Sequence, residues 1–343
     1  MKTRPIAAAV AGVAFALPLL AACGTSDAND QTDEVPVASD SEECAEDTTE
    51  TSTGPVSLTD SFDREVDLEQ PAERVAVLEW QQTEDLLSLC VSPVAVADAE
   101  GFSLWSSAEE LPEGVEDVGT RGEPNLEALL ATDPDLVVVE AYTPNDEIIK
   151  QLEEYDVPVL ATKGADAADP VQNMLDTFHL IAQATGREER ADVVEEDFRE
   201  TLAEGKEEIA EADLETEEFI YFDGWIQGGN VAIRPFGQGS LMGELGEELG
   251  LVNAWEGEVD PAYGLGQTDI EGMTELGDAM FFYTGTPDPA GDVNAELSKN
   301  KVWQSIPAVE DGRAYAFPEG TWTFGGPRSS ERIVEAYVDL LTD

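Results

Sequence analysis

The sequence predicts an α/β protein of two lobes with mainly parallel sheets, joined by a single long backbone helix. Three observations predict this fold. Short β-rich runs alternate with helical runs in both halves of the chain, which is typical of a parallel sheet covered by helices on both faces. Residues 169–214, between the halves, carry helical patterns only. A partial repeat relates one half to the other, so we expect each half to form one lobe.

The first 22 residues have the layout of a signal peptide. Lys2 and Arg4 precede an apolar run that ends in small residues, as secretory signals do. The run LAAC, which ends at Cys23, resembles a bacterial lipobox, in which the cysteine is lipidated and becomes the first mature residue. An anchor helix is less well supported, because the run is marginal for spanning a bilayer. We expect an exported protein, lipid-anchored through Cys23 to the outer face of the cytoplasmic membrane.

An acidic segment separates this cysteine from the body of the protein. Residues 24–55 contain ten acids, no lysine or arginine and few large apolar side chains. Such a composition cannot bury enough surface to fold, so we predict a disordered tether over residues 23–56. The rest is longer than a typical single domain. We divide it into an N-terminal lobe (57–185), a backbone helix (186–212) and a C-terminal lobe (213–343).

The charge of the chain excludes some functions. It has 75 acids against 17 basic residues, a net charge of −58, and such a surface repels nucleic acid, whose binders need basic patches. No run matches a calcium-binding loop with alternating oxygen ligands around a glycine. The charge is therefore best interpreted as a solvated acidic surface, typical of proteins that stay soluble at high salt or high pH.

The three cysteines and the one histidine limit covalent and metal chemistry. With Cys23 used for lipid, Cys44 and Cys90 are left in an oxidising compartment, where they could pair and pin the tether to the body, or remain free thiols. His179 lies among apolar neighbours in a helical run. One histidine cannot build a multi-histidine metal site, so we expect a structural role for it and no direct metal ligand.

In the N-terminal lobe, strands and helices alternate regularly. Four β-rich runs predict strands, namely RVAVLEW, SPVAVAD, DLVVVEAY and VPVLAT. Three runs with helical spacing lie between or beside them, namely TEDLLSL, NLEALLATDP and DEIIKQLEEYD. The helical stretch that follows is broken near Gly186, and its second half is long, highly charged and carries a thin apolar stripe. That second half is the predicted backbone helix.

The alternation then resumes in the C-terminal lobe. Strands are predicted at EFIYFDGW, AMFFYTG and RAYAFPE, and helices at SLMGELGEELG, TDIEGMTELGD, VWQSIPAVEDG and SSERIVEAYVDLL. The run NLEALLATDPDLVVV of the first half and TDIEGMTELGDAMFF of the second share an acid, a helix, an aspartate and a strand in the same order. Glu127 and Glu271 occupy equivalent places in these two units.

Taken in this order behind a lipobox, five segments resemble the class III solute-binding proteins of ABC transporters, the iron-siderophore and vitamin B12 type. They are ERVAVLEWQQTEDLLSLCVSPVAVAD, VGTRGEPNLEALLATDPDLVVV, GSLMGELGEELGLVNAW, VWQSIPAVEDGRAYAF and GGPRSSERIVEAYVDLL. The resemblance covers nearly the whole exported chain. It implies a monomeric receptor without enzymatic activity, which meets the membrane only through its lipid and has an ABC permease dimer with its ATPase as partner.

Within that family, the segment VGTRGEPNLE is similar to that of the ferric-hydroxamate-binding proteins. The resemblance implies that Arg121 reaches the hydroxamate oxygens around the iron, that Tyr142 assists it, and that aromatic side chains wall a shallow cleft. The matching aromatic positions are Trp105, Trp322, Phe324 and Tyr263, and Arg234 and Arg328 could add positive charge. The resemblance also implies that Glu127 and Glu271 dock onto arginine pockets of the permease.

These assignments agree with the chemistry of the expected ligand. A siderophore already satisfies the coordination of its iron, so the protein needs no cofactor and no metal ligand, only an apolar and aromatic surface with a few donors. Arginine suits that role, because its planar fork donates several hydrogen bonds and stays charged when partly buried.

Other interpretations remain open from the sequence. Arg121 could instead pair with Glu123 or Asp117 on the surface, the tryptophans could be core residues, and Arg234 and Arg328 could cap helices or form surface pairs. Trp80 and Trp225 fit cleft or core equally well. A cobalamin or haem receptor of the same fold is the nearest alternative function, with Tyr142 as the candidate haem ligand. A sensor is another. An enzyme is disfavoured, because no phosphate-binding loop or nucleophile elbow is present.

Overall fold

The computed structural model describes residues 41–228, 230–284 and 293–342. The predicted signal peptide, Cys23 and the tether up to residue 40 lie outside these residues. Within the described ranges, none of the helices combines the length and the apolar character that a membrane crossing requires.

The N-terminal lobe is built on a five-stranded parallel sheet. Its strand order is β5-β4-β3-β8-β9, and two two-stranded antiparallel ribbons, β1–β2 and β6–β7, flank it. The elements in chain order are α1 (Glu42–Glu46), β1 (Val56–Thr59), β2 (Glu65–Leu68), β3 (Val75–Val77), α2 (Trp80–Ser88), β4 (Ala95–Val96), α3 (Ala99–Trp105), β5 (Glu116–Asp117), β6 (Gly119–Thr120), β7 (Glu123–Pro124), α4 (Leu126–Ala131), β8 (Leu136–Glu140), α5 (Glu147–Glu153) and β9 (Val159–Thr162).

Alternation along the strands supplies the two faces of this sheet. Val75 and Val77 of β3 join one hydrophobic core, whereas Ala76, between them, joins the core on the opposite face. In β8, Leu136 and Val138 likewise belong to the first core, and Val137 and Val139 belong to the second. The sheet is buried on both faces, as predicted for runs that are continuously apolar.

Two helices lead from this lobe to the next, α6 (Pro170–Thr185) and α7 (Glu188–Glu211). Gly186 ends α6 with a φ of +69°, a left-handed conformation that glycine adopts without strain. The long helix α7 is the predicted backbone helix. Ala191 and Val194 near its start pack in the N-terminal core, whereas Phe198 and Ile209 pack in the C-terminal core. Because one helix belongs to both cores, it holds the two lobes together.

The C-terminal lobe carries a mixed five-stranded sheet of order β11-β10-β13-β14, with β12 also on β10. The β10–β12, β10–β13 and β13–β14 pairs are parallel, and the β10–β11 hairpin is antiparallel. The elements are β10 (Glu218–Gln227), β11 (Asn230–Phe236), α8 (Leu241–Glu248), β12 (Val252–Asn253), α9 (Ile270–Met273), a 3₁₀ turn (Thr274–Leu276), β13 (Met280–Tyr283), α10 (Val293–Leu297), α11 (Lys301–Gln304), α12 (Pro307–Glu310), β14 (Ala314–Ala316) and α13 (Pro327–Thr342).

A buried polar contact joins α2 of the first lobe to α13 of the second. Glu84 is fully buried and accepts hydrogen bonds from the backbone N–H groups of Gly326 (3.1 Å) and Ser329 (2.8 Å) and from the Ser329 hydroxyl (2.5 Å). A carboxylate at the N-terminus of a helix satisfies amides that have no partner within the helix. This contact fixes the start of α13 against α2, the helix that begins at Trp80.

The described part of the predicted tether lies against the body, which differs from the expectation of a disordered segment to residue 56. Cys44 of α1 and Cys90 form a disulfide. Ser52 N–H donates to the carbonyl of Gly186 (2.7 Å). The composition argument considered only apolar burial, whereas this segment is held by covalent and ionic contacts. We call residues 41–55 the N-terminal strap.

Ion pairs hold the strap to the backbone helix α7 and to α13 of the C-terminal lobe. The Glu43 carboxylate accepts from Arg190 Nη2 of α7 (2.5 Å) and from Arg328 Nη2 of α13. Asp47 pairs with Arg187. The arginine side chains are nearly buried, so removal of their acidic partners would leave charges with little access to water.

Candidate functional site

An aromatic cavity of about 630 Å³ lies between the two lobes. The N-terminal lobe contributes Trp80, Trp105 and Arg121 to its lining. The C-terminal lobe contributes the end of β10, the end of β13 and the loop before α13, with the side chains of Phe222, Asp223, Trp225, Ile226, Arg234, Tyr283, Thr284, Val293, Asn294, Thr321, Trp322, Thr323 and Phe324. We call this space the aromatic cavity.

A continuous row of aromatic rings forms one wall. The ring centroids of Trp80 and Trp322 are 4.7 Å apart in an edge contact, and those of Trp322 and Phe324 are 5.4 Å apart. Phe324 in turn contacts Tyr263, at 5.8 Å between centroids, but Tyr263 is not part of the cavity lining and lies behind Phe324. Edge contacts of this kind are favourable beyond the area that they bury. The row crosses from one lobe to the other, because Trp80 belongs to α2 and Trp322 to the loop before α13.

Arg121 lies at the junction of this wall with the N-terminal lobe. It occupies the tight turn between β6 and β7, and its Cζ is 3.8 Å from the ring centroid of Trp80 and 5.6 Å from that of Trp322. Its Nη1 donates to the Glu79 carboxylate, and its Nε lies 4.0 Å from Asp98 Oδ2. The guanidinium is thus held against the aromatic wall. Its ion-pair partners are Glu79 and Asp98, and not Glu123 or Asp117, the surface partners of the alternative interpretation.

Glu79 orients both sides of this contact. It is the N-cap of α2, and its Oε1 accepts from Trp80 N–H (2.8 Å) as well as from Arg121. The Glu79 carboxylate therefore fixes two groups. One is the start of α2, which carries the Trp80 ring, and the other is the Arg121 guanidinium stacked on that ring.

A second arginine enters the cavity from the C-terminal lobe. Arg234 of β11 is directly opposite Asp223 of β10 in the hairpin register. Its Nε donates to Asp223 Oδ1 (2.9 Å), and its Nη2 bonds to the other oxygen of the same carboxylate. Its Cζ is 5.5 Å from the ring centroid of Phe324. Burial raises the pKa of Asp223, and the bonds from Arg234 oppose that rise.

A polar cavity of about 790 Å³ adjoins the aromatic cavity, since Arg121 lines both. We call it the acidic recess, because its lining includes Glu79, Asp98, Glu123, Glu140, Asp146 and Glu147. Tyr142 lines this recess and not the aromatic cavity, and it is 74% exposed.

One hydrogen bond at the recess crosses between the lobes. Tyr263 Oη donates to Glu140 Oε1 at 2.7 Å. Burial raises the pKa of Glu140 to about 7, and the nearby charge of Glu79 adds to the rise. Burial and the Glu140 charge also raise the pKa of Tyr263, so the hydroxyl stays protonated and remains the donor.

Glu140 gives a pH-dependent stability whose sign follows from this shift. Its folded pKa, about 7, lies above its ordinary value of 4.5, so between pH 4.5 and 7 the folded state holds a proton that the unfolded state releases. Glu140 therefore lowers the free energy of unfolding as pH rises through this window. In Glu140→Gln we expect the free energy of unfolding to fall less steeply with rising pH, by up to about 1.4 kcal/mol per pH unit. The free energy of unfolding is measured by urea unfolding at half-unit pH steps, with Glu204→Gln as the control. Parallel curves of this free energy against pH for Glu140→Gln and the parent would contradict the prediction.

Arg328 does not contribute positive charge to the cleft, which corrects the prediction made for it. It lines neither cavity, and its guanidinium pairs with Glu331, Asp197 and Glu43. Arg328 lies in the first turn of α13, where its side chain reaches α7 and the strap. The resemblance suggested a cleft position for Arg328, but the packing of α13 on α7 decides the direction of its side chain.

The other predicted residues occupy distinct places. Trp105 and Trp322 line the aromatic cavity, as do Trp80 and Trp225. His179 pairs with Glu195 at 2.5 Å on the face between α6 and α7. Among the residues that the structure describes, no group of three histidine, cysteine or acidic side chains could hold a metal ion.

Glu127 and Glu271 have the same local structure in the two lobes. Glu127 follows the N-cap Asn125 by two positions in α4, and Glu271 follows the N-cap Asp269 by two positions in α9. Both side chains are exposed. The partial repeat of the sequence thus corresponds to a repeated, capped helix start.

Sequence reasoning missed the carboxylates that bond to the arginines and to Tyr263 of the cleft. Glu79, Glu140 and Asp223 were not singled out, although each lies at or just beyond a buried stretch of strand. These residues could have been found as acids that directly follow a buried strand, because ligands of open α/β sheets bind outside the carboxyl ends of the strands.

Comparisons with known proteins agree with this architecture. A scan against protein-family models matches the periplasmic binding protein family over residues 75–321. Among curated proteins, the chain is 27% identical over 262 residues to the iron(3+)-hydroxamate-binding protein FhuD of Escherichia coli K12, covering 76% of this chain and 84% of the relative. It is 27% identical over 263 residues to the Fe(3+)-citrate-binding protein YfmC of Bacillus subtilis 168, covering 76% and 78%.

Solved structures show the same fold. The chain superposes on the siderophore-binding protein FhuD of Vibrio cholerae, solved with Fe³⁺–Desferal, with a TM-score of 0.66 and 24% identity over 78% of this chain and 97% of that one. For FeuA of Bacillus subtilis, solved with ferri-bacillibactin, the TM-score is 0.65 with 21% identity over 83% and 98%. At these identities, the similarity establishes the two-lobed fold.

Proposed function

We propose, because the chain belongs to the periplasmic binding protein family, that it is the substrate-binding component of an ABC importer and captures an Fe(III)–siderophore, with hydroxamate as the chelating group. One observation carries this proposal: Arg121 is held against the rings of Trp80 and Trp322 at the edge of an aromatic cavity between the lobes. The protein performs no chemistry on its ligand.

The cavity suits a metal complex whose iron is already coordinated. Such a ligand presents an apolar shell and a patch of chelate oxygens, which match aromatic walls and a few placed donors. The Arg121 guanidinium is stacked on Trp80 and bonded to Glu79 through Nη1, so its orientation is fixed before the ligand arrives. A preorganised donor loses less entropy on binding than a free side chain.

Hydroxamate is the preferred chelating group for two reasons. The segment that carries Arg121 resembles that of the ferric-hydroxamate-binding proteins, and the similarity to a hydroxamate-binding relative covers 76% of this chain. The citrate-binding relative covers the same share at the same identity, so the ligand class has to be tested directly. Tyr142, which lines the recess beside Arg121, is assigned an assisting role.

A panel of ligands tests the proposal. The exported chain with Cys23→Ser, which keeps the strap and its disulfide, is titrated with a ferric trihydroxamate, a ferric tricatecholate, ferric citrate, cobalamin and haemin, and tryptophan fluorescence is followed. Trp80, Trp105 and Trp322 line the cavity, so a bound chelate should quench strongly. Submicromolar, saturable quenching by the hydroxamate supports the proposal. Binding of haemin or cobalamin alone would leave the fold assignment standing and overturn the ligand assignment.

Delivery to the permease is assigned to Glu127 and Glu271, and membrane attachment to a lipid on Cys23. The two glutamates are exposed at matching capped helix starts, as two contacts on a two-fold permease dimer would require. Neither lines the aromatic cavity. The receptor acts as a monomer on the outer face of the cytoplasmic membrane.

Substitution of the two glutamates should separate binding from uptake. In Glu127→Ala and Glu271→Ala we expect an unchanged Kd for the ferric chelate and at least about tenfold slower uptake of radiolabelled iron by cells, since one lost charge-assisted contact costs about 1.5–3 kcal/mol. Glu204→Ala, an exposed acid on α7, is the matched control. Uptake at the parental rate in both variants would remove the docking assignment.

A further inference from the structure

The arginines of the cleft are already balanced by carboxylates of the same cleft. Arg121 bonds to Glu79 and has Asp98 4.0 Å from its Nε. Arg234 bonds to both oxygens of Asp223. Neither guanidinium therefore presents an uncompensated positive charge to a ligand. Each acts as a directed hydrogen-bond donor whose charge is largely cancelled at short range.

The lining as a whole is acidic. Among the described residues around the aromatic cavity and the acidic recess, Arg121 and Arg234 are the only basic side chains. Seven carboxylates line the same two spaces, namely Glu79, Asp98, Glu123, Glu140, Asp146, Glu147 and Asp223. Walls of low dielectric strengthen the field of such charges inside a cleft.

This balance bears on the net charge of the ligand. Ferric chelates of comparable size differ widely in charge: a tris-hydroxamate complex is neutral at the metal, whereas a tris-catecholate complex carries three negative charges. A site built for the latter needs an excess of cationic donors. Here the excess has the opposite sign, and it lies next to Arg121, where the chelate oxygens are proposed to bind.

We propose that the cleft selects its ferric chelate by charge, binding a complex with a cationic arm more tightly than a neutral one and rejecting an anionic one. This inference rests on the proposed function, since it describes the same site. The acidic recess adjoins the aromatic cavity at Arg121. A chelate core against the aromatic wall can thus extend a protonated amine into the recess, toward Glu140 and Asp98.

The acidic surface of the whole protein offers a competing cause for the same preference. With a net charge of −58, the chain attracts any cation at low ionic strength. Salt separates the two causes, because the Debye length falls to about 3 Å at 1 M salt. Distant surface charges are then screened, whereas charges that contact the ligand in a partly buried cleft are screened much less.

The test uses one chelating core with three terminal groups. The ferric complexes of a linear trihydroxamate with a free primary amine, of its N-acetyl derivative and of its N-succinyl derivative carry charges of +1, 0 and −1. Their Kd values are measured on the exported chain with Cys23→Ser, in 1 M NaCl at pH 8.5, where Glu140 is ionised. We expect Kd to rise about tenfold at each step from +1 to −1, as for one added unfavourable contact between charges.

Glu140→Gln locates the effect in the recess. It removes one charge and keeps an oxygen that can accept from Tyr263, so the ratio of the Kd values for the −1 and +1 complexes should shrink by about threefold or more. Glu204→Gln removes the same charge from the exposed surface of α7 and should leave the ratio unchanged.

The outcomes are distinct. Equal Kd values for the three complexes, a reversed order, or an order that exists only at low salt would overturn charge selection by the cleft and leave the proposed function standing. If none of the three complexes binds, the proposed function is overturned together with this inference.

Discussion

Replacement of Arg121 by alanine is expected to weaken binding of a ferric trihydroxamate by roughly 2 to 4 kcal/mol, a rise in Kd of about 30- to 900-fold. The guanidinium is held against Trp80 and by Glu79 before any ligand arrives. Its loss would remove the charge-assisted hydrogen bonds that we propose it donates to the chelate in this partly enclosed cleft. It also leaves the Glu79 carboxylate without its basic partner beside the bound oxygens.

Calorimetric titration is the suitable measurement for this variant, because removing a cation stacked on Trp80 alters the baseline of tryptophan fluorescence. Arg121→Lys should fall between the parent and Arg121→Ala, since lysine keeps the charge and loses the planar fork. Arg199→Ala is the matched control: Arg199 is half exposed on α7 and pairs with Glu195 one turn away. A Kd for Arg121→Ala equal to that of the control would remove Arg121 from the site.

Much of the fold could be predicted from local patterns alone. The parallel strands β3, β8 and β9 are continuous apolar runs, and the break before α7 is marked by Gly186. The hairpin β10–β11 was not predicted beyond its first strand. The run NVAIRPF contains an arginine and a proline, which weaken a strand signal. In the structure Pro235 lies in β11, the strand that ends the sheet order, and edge strands are where a proline is tolerated.

The site was predictable in part for a related reason. Arg121 and Trp322 lie in loops with recognisable neighbours, Trp105 is the last residue of α3, and all three line the aromatic cavity. The pairing of Arg234 with Asp223 depends on the register of two strands. The direction of Arg328 depends on Asp197, far from it in sequence. Contacts set by register and by helix packing have no local signature, so the sequence could nominate these arginines but could not assign their partners.

The N-terminal strap shows the same limit on a larger scale. Its composition predicts disorder, because it holds many acids and little apolar surface. That reasoning treats acids as solvated. Here Glu43 and Asp47 meet the nearly buried guanidinium groups of Arg190 and Arg187, and a covalent bond brings them there. Once the disulfide has closed the segment onto the body, the ion pairs form at high effective concentration.

Removal of this disulfide is expected to have a large effect on stability. The Cys44→Ser/Cys90→Ser variant should lose about 3 to 4 kcal/mol of unfolding free energy, because the cross-link joins residues 46 positions apart and constrains a loop of that length in the unfolded chain. Urea unfolding at one pH, in the Cys23→Ser background, measures the loss. A double variant with the parental urea midpoint would show that the ion pairs alone hold the strap.

Ligand affinity should respond differently from stability in the same double variant. No residue of the strap lines the aromatic cavity or the acidic recess, so Kd for the ferric chelate should stay within about twofold of the parent, as expected for a change without contact to the ligand. Glu43→Gln, which loses the negative charge opposite Arg190 and Arg328 but keeps the disulfide, is the control for the ionic part. A Kd that changes with the disulfide would mean that the strap, which bonds to α7 and to α13, sets the spacing of the lobes on which the aromatic wall depends.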